Sequence, residues 1–182
     1  MTAVTTVYAR GPVSIAEWEA LPDDGNRYEL IDGTVYVNAA PKVPHQAVVA
    51  ELMFLLHPLC PEGVMVLPGP VDFQADAATI LEPDLLVIPR SEAGGARLHV
   101  PPLLVVEVAS PSTRRYDRVT KLAAYDRAGV PAYWIVDGDE PSLLVFEREG
   151  DRLVERAYVR GDESYAATIP FPVTVGPSAL AR

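Results

Sequence analysis

Cysteine is almost missing from this chain: Cys60 stands alone among 182 residues. One thiol excludes an intrachain disulfide framework, so the fold has to rest on apolar packing, and the usage fits a reducing, cytoplasmic setting. Long apolar runs are missing too. No stretch approaches the ~20 residues that span a bilayer, and Leu52–Leu59 is interrupted by His57, so no membrane role is expected. Met1–Arg10 lacks the basic start and apolar segment of a secretory leader. Positive charge is scarce, with 15 Lys and Arg against 25 Asp and Glu and a formal net charge of −10. Broad nonspecific attachment to nucleic acid needs a cationic face and is disfavoured by that balance. Several chemical signatures are absent as well. His57 and His99 have no zinc spacing, and Gly94-Gly95 forms no phosphate-cradling loop. Ser110 and Ser112 lie in no Gly-x-Ser-x-Gly elbow, which disfavours a serine hydrolase.

What is present is the composition of a folded globular protein, 49% hydrophobic and 22% charged. The length predicts one domain over residues 1–182, large enough for a real core. Ser14-Ile15-Ala16-Glu17 has capping-box spacing and predicts a short helix to about Leu21. Tyr28–Ile31 and Thr34–Val37 read as an N-terminal β-hairpin turned at Asp32-Gly33. Pro41 and Pro44 then break the chain, and His45–Leu59 reads as a buried helix stopped by Pro58 and Pro61. Val64–Phe73 reads as one strand interrupted at Pro68-Gly69-Pro70.

Leu85–Ile88 and Leu103–Val108 are continuous apolar runs, the mark of strands buried on both faces. Ser112 or Thr113 can cap a helix that ends at Ala128-Gly129, and Ala132–Val136 follows as a strand. Strand, helix, strand in that order predicts a right-handed parallel crossover. Leu143–Arg148 and Leu153–Val159 read as a C-terminal hairpin turned at Glu149-Gly150-Asp151, followed by a Pro-rich edge strand or extended tail, so the C-terminal part spans about 143–182. The fold class is α/β with a mixed sheet flanked by helices.

Three ionisable residues stand out against this frame. Asp84 closes the turn Glu82-Pro83-Asp84 before one buried strand, Glu107 ends the next, and Lys121 lies on the helix after it. Mg²⁺ takes oxygen ligands and keeps several waters, so one or two carboxylates suffice when substrate phosphate completes the shell. If the two strands pair, Asp84 and Glu107 reach one ion, and the carbonyl of Val108 can add a third oxygen. Lys121 would orient water or stabilise transition-state charge.

The segment Ser110–Val130 carries Arg114, Arg115, Arg118, Lys121 and Arg127 against Asp117 and Asp126, locally +3. At 3.6 residues per turn Arg114, Arg118, Lys121 and Tyr125 share one stripe, so Arg114 and Arg118 are candidates for flanking phosphates. The bland readings remain beside these: a solvated basic helix face, and an Asp117–Lys121 pair at i,i+4. Glu29 either approaches the metal from the first hairpin or is a solvent-facing strand acid. His45 begins the long helix, in a cap, core or catalytic role.

At these residues the chain resembles a family. Pro83-Asp84, the run Leu104–Thr113, then Asp117, Lys121 and Tyr125, then Ala128-Gly129-Val130-Pro131 with Tyr133-Trp134 look like the putative restriction endonucleases of the PD-(D/E)XK nuclease superfamily. These form a bacterial family common in cyanobacteria and long catalogued as a domain of unknown function. Tyr28–Gly33 and His45 match the same pattern, and the resemblance covers about residues 15–148.

It implies a restriction-endonuclease-like core that binds Mg²⁺ or Mn²⁺ and cleaves DNA phosphodiesters, often as a homodimer so that both strands are cut. It maps the metal-site acids onto Asp84 and Glu107 and the site glutamate onto Glu29, with His45, Ser110 and Tyr125 in support. In the wider superfamily the lysine lies two residues after the second acid, where this chain has Ala109; the family's lysine maps onto Lys121 instead. Ala132 stands where relatives often have an acid. A metal-dependent endonuclease is therefore the expected function. A nuclease-fold binding or assembly module with little catalysis is the alternative, favoured by the acidic net charge.

Overall fold

The computed structural model describes residues 6–9, 11–38 and 40–181. Of the stretch Met1–Arg10, read above for a leader, all but Thr6–Ala9 lies outside the described residues. The chain opens with β1 (Thr6–Ala9), α1 (Ile15–Glu19), β2 (Arg27–Ile31), β3 (Thr34–Asn38) and α2 (Val43–Leu56). Four strands follow: β4 (Val64–Pro68), β5 (Phe73–Asp76), β6 (Thr79–Leu81) and β7 (Leu85–Pro89). Next come β8 (Leu104–Ala109), a π-helical turn (Tyr116–Lys121), α3 (Leu122–Arg127) and β9 (Ala132–Asp137). The chain ends with β10 (Ser142–Glu149), β11 (Arg152–Arg160), β12 (Tyr165–Ala167), β13 (Val173–Val175) and α4 (Pro177–Leu180).

A six-stranded sheet in the order β11-β10-β9-β8-β7-β4 forms the centre. Among the described strands of this sheet only β8 and β9 pair in parallel, joined through the π turn and α3, as the crossover pattern predicts. Apolar side chains on both faces of these strands require cover on both sides. On one face Val48, Val49, Leu52 and Leu56 of α2 pack against Leu85, Val87, Leu104, Val106 and Trp134. On the other, Leu86, Ile88, Val105 and Tyr133 meet Tyr116 and Tyr125 of the helical segment. Ile31, Phe73 and Leu81 join that second core from a five-stranded antiparallel sheet, β1-β3-β2-β6-β5.

The hairpin of that second sheet turns at Asp32 and Gly33 with φ of 50° and 70°, the left-handed pair that a two-residue turn demands. Its alternation places Tyr28 and Leu30 in a satellite core with Trp18 of α1. Arg27, Glu29 and Ile31 take the opposite face, toward the main sheet. α1 carries the full capping box between Ser14 and Glu17.

Three expectations change in detail. Val64–Phe73 is not one interrupted strand, because Pro68-Gly69-Pro70 ends β4 and delivers the chain to a different sheet at β5. Pro44 does not break the chain but sits in the first turn of α2, where its missing N–H costs nothing. The C-terminal tail is more than an edge strand: β12 and β13 pair with each other, and Phe171, Val173, Val175 and Leu180 are buried in the α2-side core.

The bend at Gly69 also fixes the site described next. Its N–H donates to the Asp84 carbonyl at 2.8 Å. A Cβ at Gly69 would lie 2.4 Å from the Pro83 carbonyl oxygen, a contact that backbone cannot absorb without moving. Gly69→Ala should therefore displace the Pro83-Asp84 turn and lower stability by about 1–3 kcal/mol, as overpacking does. Urea unfolding measures it.

Candidate active site

The register of the central sheet brings the two sequence-distant acids together. β7 and β8 pair with Leu85 opposite Val106, and one further step in that register sets Asp84 opposite Glu107. Residues directly opposite in an antiparallel pair share a face, here the face covered by the helical segment. Both acids, with Val108, line a cavity of about 400 Å³ at the strand ends. His45, Ser110, Asp117 and Lys121 also line it, as does Lys42, exposed at the start of α2.

Asp84 is almost fully enclosed. Its Oδ1 accepts from Arg27 Nη1 and Nη2 at 3.2 and 3.1 Å. Its Oδ2 accepts from the Val108 N–H at 2.9 Å and lies 3.0 Å from His45 Nε2. Burial alone would raise its pKa, but the His45 hydrogen bond and the Arg27 charge hold this carboxyl well below the usual range. Asp84 therefore stays ionised. His45 Nδ1 is buried with no hydrogen-bond partner among the described residues.

Glu107 and Lys121 form the second half. Lys121 Nζ donates to Glu107 Oε1 at 2.8 Å and reaches Glu29 Oε1 at 3.0 Å. The Tyr125 hydroxyl donates to the same Glu107 oxygen at 2.6 Å. Burial pushes the Glu107 carboxyl well above its ordinary value; the Lys121 charge opposes this, while Asp84, Asp117 and Glu29 add to the rise. For Lys121 burial acts the other way, yet Glu107 and Glu29 outweigh it and raise the ammonium pKa. The side chain remains a cation throughout the accessible pH range.

Glu29 is fully buried and lies behind Lys121 rather than among the residues lining the cavity. It accepts from Asn38 Nδ2 at 2.7 Å, the Tyr116 hydroxyl at 3.2 Å and the Glu82 N–H at 2.9 Å. That full set of donors makes it an anchor for the lysine. Tyr125 likewise stands behind Glu107, while Ser110 reaches the cavity rim and bonds to Ser112 and Thr113.

The stripe of Arg114, Arg118, Lys121 and Tyr125 is not a single face. The π turn over Tyr116–Lys121 inserts an extra residue into the turn, so the 3.6-residue projection fails across it. Tyr116, Asp117 and Lys121 point inward, and the Lys121 ammonium sits 5.6 Å from the Tyr116 ring centre. Arg118 turns outward over Tyr158, and Arg114 pairs with Asp137 and Glu140. Neither arginine lines the cavity.

Arg27 and Glu82 are the members that sequence reasoning missed. A signal for Arg27 exists: it shares the inward alternation of Glu29 and Ile31 on β2. Glu82 was visible only as part of a turn. Burial and then the Glu29 charge push its carboxyl up to about 7. The pKa is raised in the fold, so ionisation destabilises: the loss starts near the unfolded value of 4.5 and is complete above about 7. Glu82→Gln should accordingly be more stable than the parent at pH 8, by about 3 kcal/mol, with the difference vanishing toward pH 4.5. Thermal melts across that range check it.

The donor chemistry suits a hard cation. Glu29, Glu82, Asp84, Glu107 and Asp117 are all buried, and against Arg27 and Lys121 they leave a formal −3 before His45 is counted. Burial in that crowd also lifts Asp117 to about 6, with the Asp84 and Glu29 charges adding to it. These carboxyl pKa values are raised first by burial and then by neighbouring carboxylates, against the pull of Lys121. Among the described residues no three His, Cys, Asp or Glu side chains are arranged to hold a metal by themselves. Asp84 and Glu107 would supply the two carboxylates that Mg²⁺ commonly takes, leaving room for water and phosphate.

Comparison with known proteins agrees with this architecture. The family model described as Uma2, putative restriction endonuclease, matches residues 15–176. No curated protein matches the chain. Among solved structures it is similar to a putative nuclease belonging to DUF820 from Anabaena variabilis ATCC 29413. The TM-score is 0.74 at 17% identity, over 93% of this chain and 98% of that one, a likeness of fold. None of the helices among the described residues is long and apolar enough to cross a membrane.

Proposed function

The chain belongs to the Uma2 family of putative restriction endonucleases, and on that premise we propose that it is a metal-dependent endonuclease that hydrolyses phosphodiester bonds in DNA. The observation that carries the reading is the set of buried carboxylates, Asp84, Glu107 and Asp117, that line one cavity beside Lys121, with Glu29 and Glu82 buried behind them. Burying carboxylates together costs folding free energy, and a divalent ion between them would offset that cost.

Asp84 and Glu107 would hold the ion, with Val108 at the same edge. Bound Mg²⁺ or Mn²⁺ would supply Lewis-acid polarisation of the phosphoryl oxygen and activate water. The chain's own groups do the rest. Lys121, kept cationic by Glu107 and Glu29, acts as a fixed positive charge toward the phosphoryl oxygens rather than as a base. Glu29 and Tyr125 orient the Lys121–Glu107 pair. Arg27 and His45 position Asp84, and Lys42 meets the polyanion at the cavity mouth. Cutting both strands of a duplex would take two copies.

A supercoiled plasmid nicked with Mg²⁺ or Mn²⁺, but not with EDTA, is the expected result, with the activity lost in Asp84→Asn. Equal background cleavage by parent and variant would sink the proposal. Ion binding should also release protons, because Glu107, Glu82 and Asp117 hold them above their ordinary range. Affinity should then fall as pH drops from about 7 toward 5. Calorimetry in buffers of different ionisation enthalpy reads the released protons.

One observation favours the binding-module reading instead: Asp84 is already held by Arg27, His45 and the Val108 N–H. Under that reading calorimetry detects no Mg²⁺ at millimolar concentration and Arg27 remains the permanent counter-ion.

A further inference from the structure

The arginines among the described residues differ in their partners. Arg27, Arg97, Arg114, Arg127, Arg148 and Arg156 each pair with a carboxylate. Arg90, Arg115, Arg118, Arg152 and Arg160 have no carboxylate partner among the described residues, and of these Arg118 and Arg160 converge on one exposed tyrosine. Arg160 Cζ lies 4.4 Å and Arg118 Cζ 5.4 Å from the Tyr158 ring centre. Glu163 stands beside Arg160 but accepts from its backbone N–H, not its side chain. Arg115, three residues before Arg118, is exposed as well. On a chain of net charge −10, Arg118 and Arg160 gather two unneutralised guanidinium groups on one ring.

The location adds to this. Arg118 leaves the outer side of the same π turn whose inner side carries Asp117 and Lys121 into the cavity. The extra residue of that turn is what separates the two directions. Arg118 and Arg160 lie within hydrogen-bond reach of the Tyr158 hydroxyl, and a guanidinium has five N–H donors, so others remain to meet a phosphate. Arg118 also pulls the Tyr158 phenol below its ordinary range, so the aromatic is a responsive part of the cluster.

We infer that Arg118, Tyr158 and Arg160 form an exosite for the phosphate backbone of a nucleic-acid strand, outside the cavity and on the far side of its π turn. The inference rests on the nuclease reading for the identity of the polyanion. It also accounts for how a strongly acidic chain holds one: the attraction is local, and the acidic remainder suppresses binding elsewhere.

The test is fluorescence anisotropy with a labelled single-stranded 20-nucleotide DNA, EDTA present to block cleavage, over a salt series. Arg118→Gln/Arg160→Gln should weaken binding about tenfold or more and reduce the salt slope by about 1.4, the release expected for two contacts on a single strand. Tyr158→Leu should weaken binding with the salt slope nearly unchanged. Arg127→Gln/Arg156→Gln removes the same two charges from paired positions and should stay within about twofold of the parent. Equal losses in the two double variants overturn the inference, since net charge then explains both. A parent chain that fails to bind the DNA also overturns it, whereas Mg²⁺-dependent nicking and Mg²⁺ calorimetry on the same preparation judge the nuclease reading separately. A phosphoserine peptide that binds more tightly than the DNA, with the same variant dependence, overturns the assignment to nucleic acid.

Discussion

Lys121→Met is expected to abolish nicking and to destabilise the fold at the same time, with the second effect reversed by acid. The ammonium is 3% exposed and lies 3.0 Å from Glu29 and 2.8 Å from Glu107. Removing it leaves two buried carboxylates without their shared cation, the situation that typically costs about 3–5 kcal/mol. The chain can escape by protonating one of them. A buried acid whose folded pKa is raised is most stable when protonated, so the variant should recover stability as pH falls toward the unfolded value near 4.5.

Nicking should drop by about 10²–10³-fold, the usual cost of losing one preorganised charge donor. Lys121→Arg separates the two effects: it restores charge and much of the stability, but its planar fork cannot take the ammonium's place between two oxygens. Urea titrations at pH 5 and pH 8 with parallel plasmid assays read both. A Lys121→Met variant that is equally stable at both pH values would remove the lysine from the electrostatic centre.

The sequence made part of this site legible because strands are simple. A carboxylate before one buried apolar run and a carboxylate at the end of the next must meet if the runs pair, and continuation of the Leu85–Val106 register brings Asp84 and Glu107 together. The Asp32-Gly33 turn and the capping box at Ser14 are equally local and were equally readable. Lys121 was readable for a reason that held only in part. Its proximity to Tyr125 follows from α-helical spacing, but Arg114 and Arg118 were projected through a turn that is π-helical.

That π turn is a tertiary decision. It lets Tyr116 reach Glu29 and Asp117 enter the cavity wall, contacts between residues up to 87 positions apart, which no local propensity encodes. The second sheet was hidden for a related reason. β5 and β6 have four and three residues, too few for a period to show, and they exist because Phe73 and Leu81 close the core beneath the hairpin. Arg27 escaped notice because an arginine in an inward strand position reads as an edge charge until its partner, Asp84, is found 57 residues away.

Glu107→Gln should separate function from stability in the direction opposite to Lys121→Met. The side chain is 2% exposed and its carboxyl is pushed well above the ordinary range by burial, against the pull of Lys121. Ionised Glu107 is therefore a strained state of the fold. The sign follows from the linkage: with the folded pKa above 4.5, the parent loses stability relative to the variant as pH rises from there. The neutral amide keeps the shape and still accepts from Lys121 and Tyr125, while Lys121 retains Glu29 as its counter-ion. The variant should equal or exceed the parent in stability at pH 8, with the margin shrinking toward pH 4.5.

Its metal affinity should nevertheless fall by more than the roughly 10–100-fold expected when only an outer supporting group is lost, and nicking with it. Thermal melts at pH 5 and pH 8 beside Mg²⁺ calorimetry measure the two quantities on one preparation. A carboxylate that weakens the fold and is indispensable to ion binding is explained by function alone. If Glu107→Gln instead lowers stability at pH 8 and leaves Mg²⁺ affinity intact, Glu107 is a structural partner of Lys121, and the ion must be sought without it.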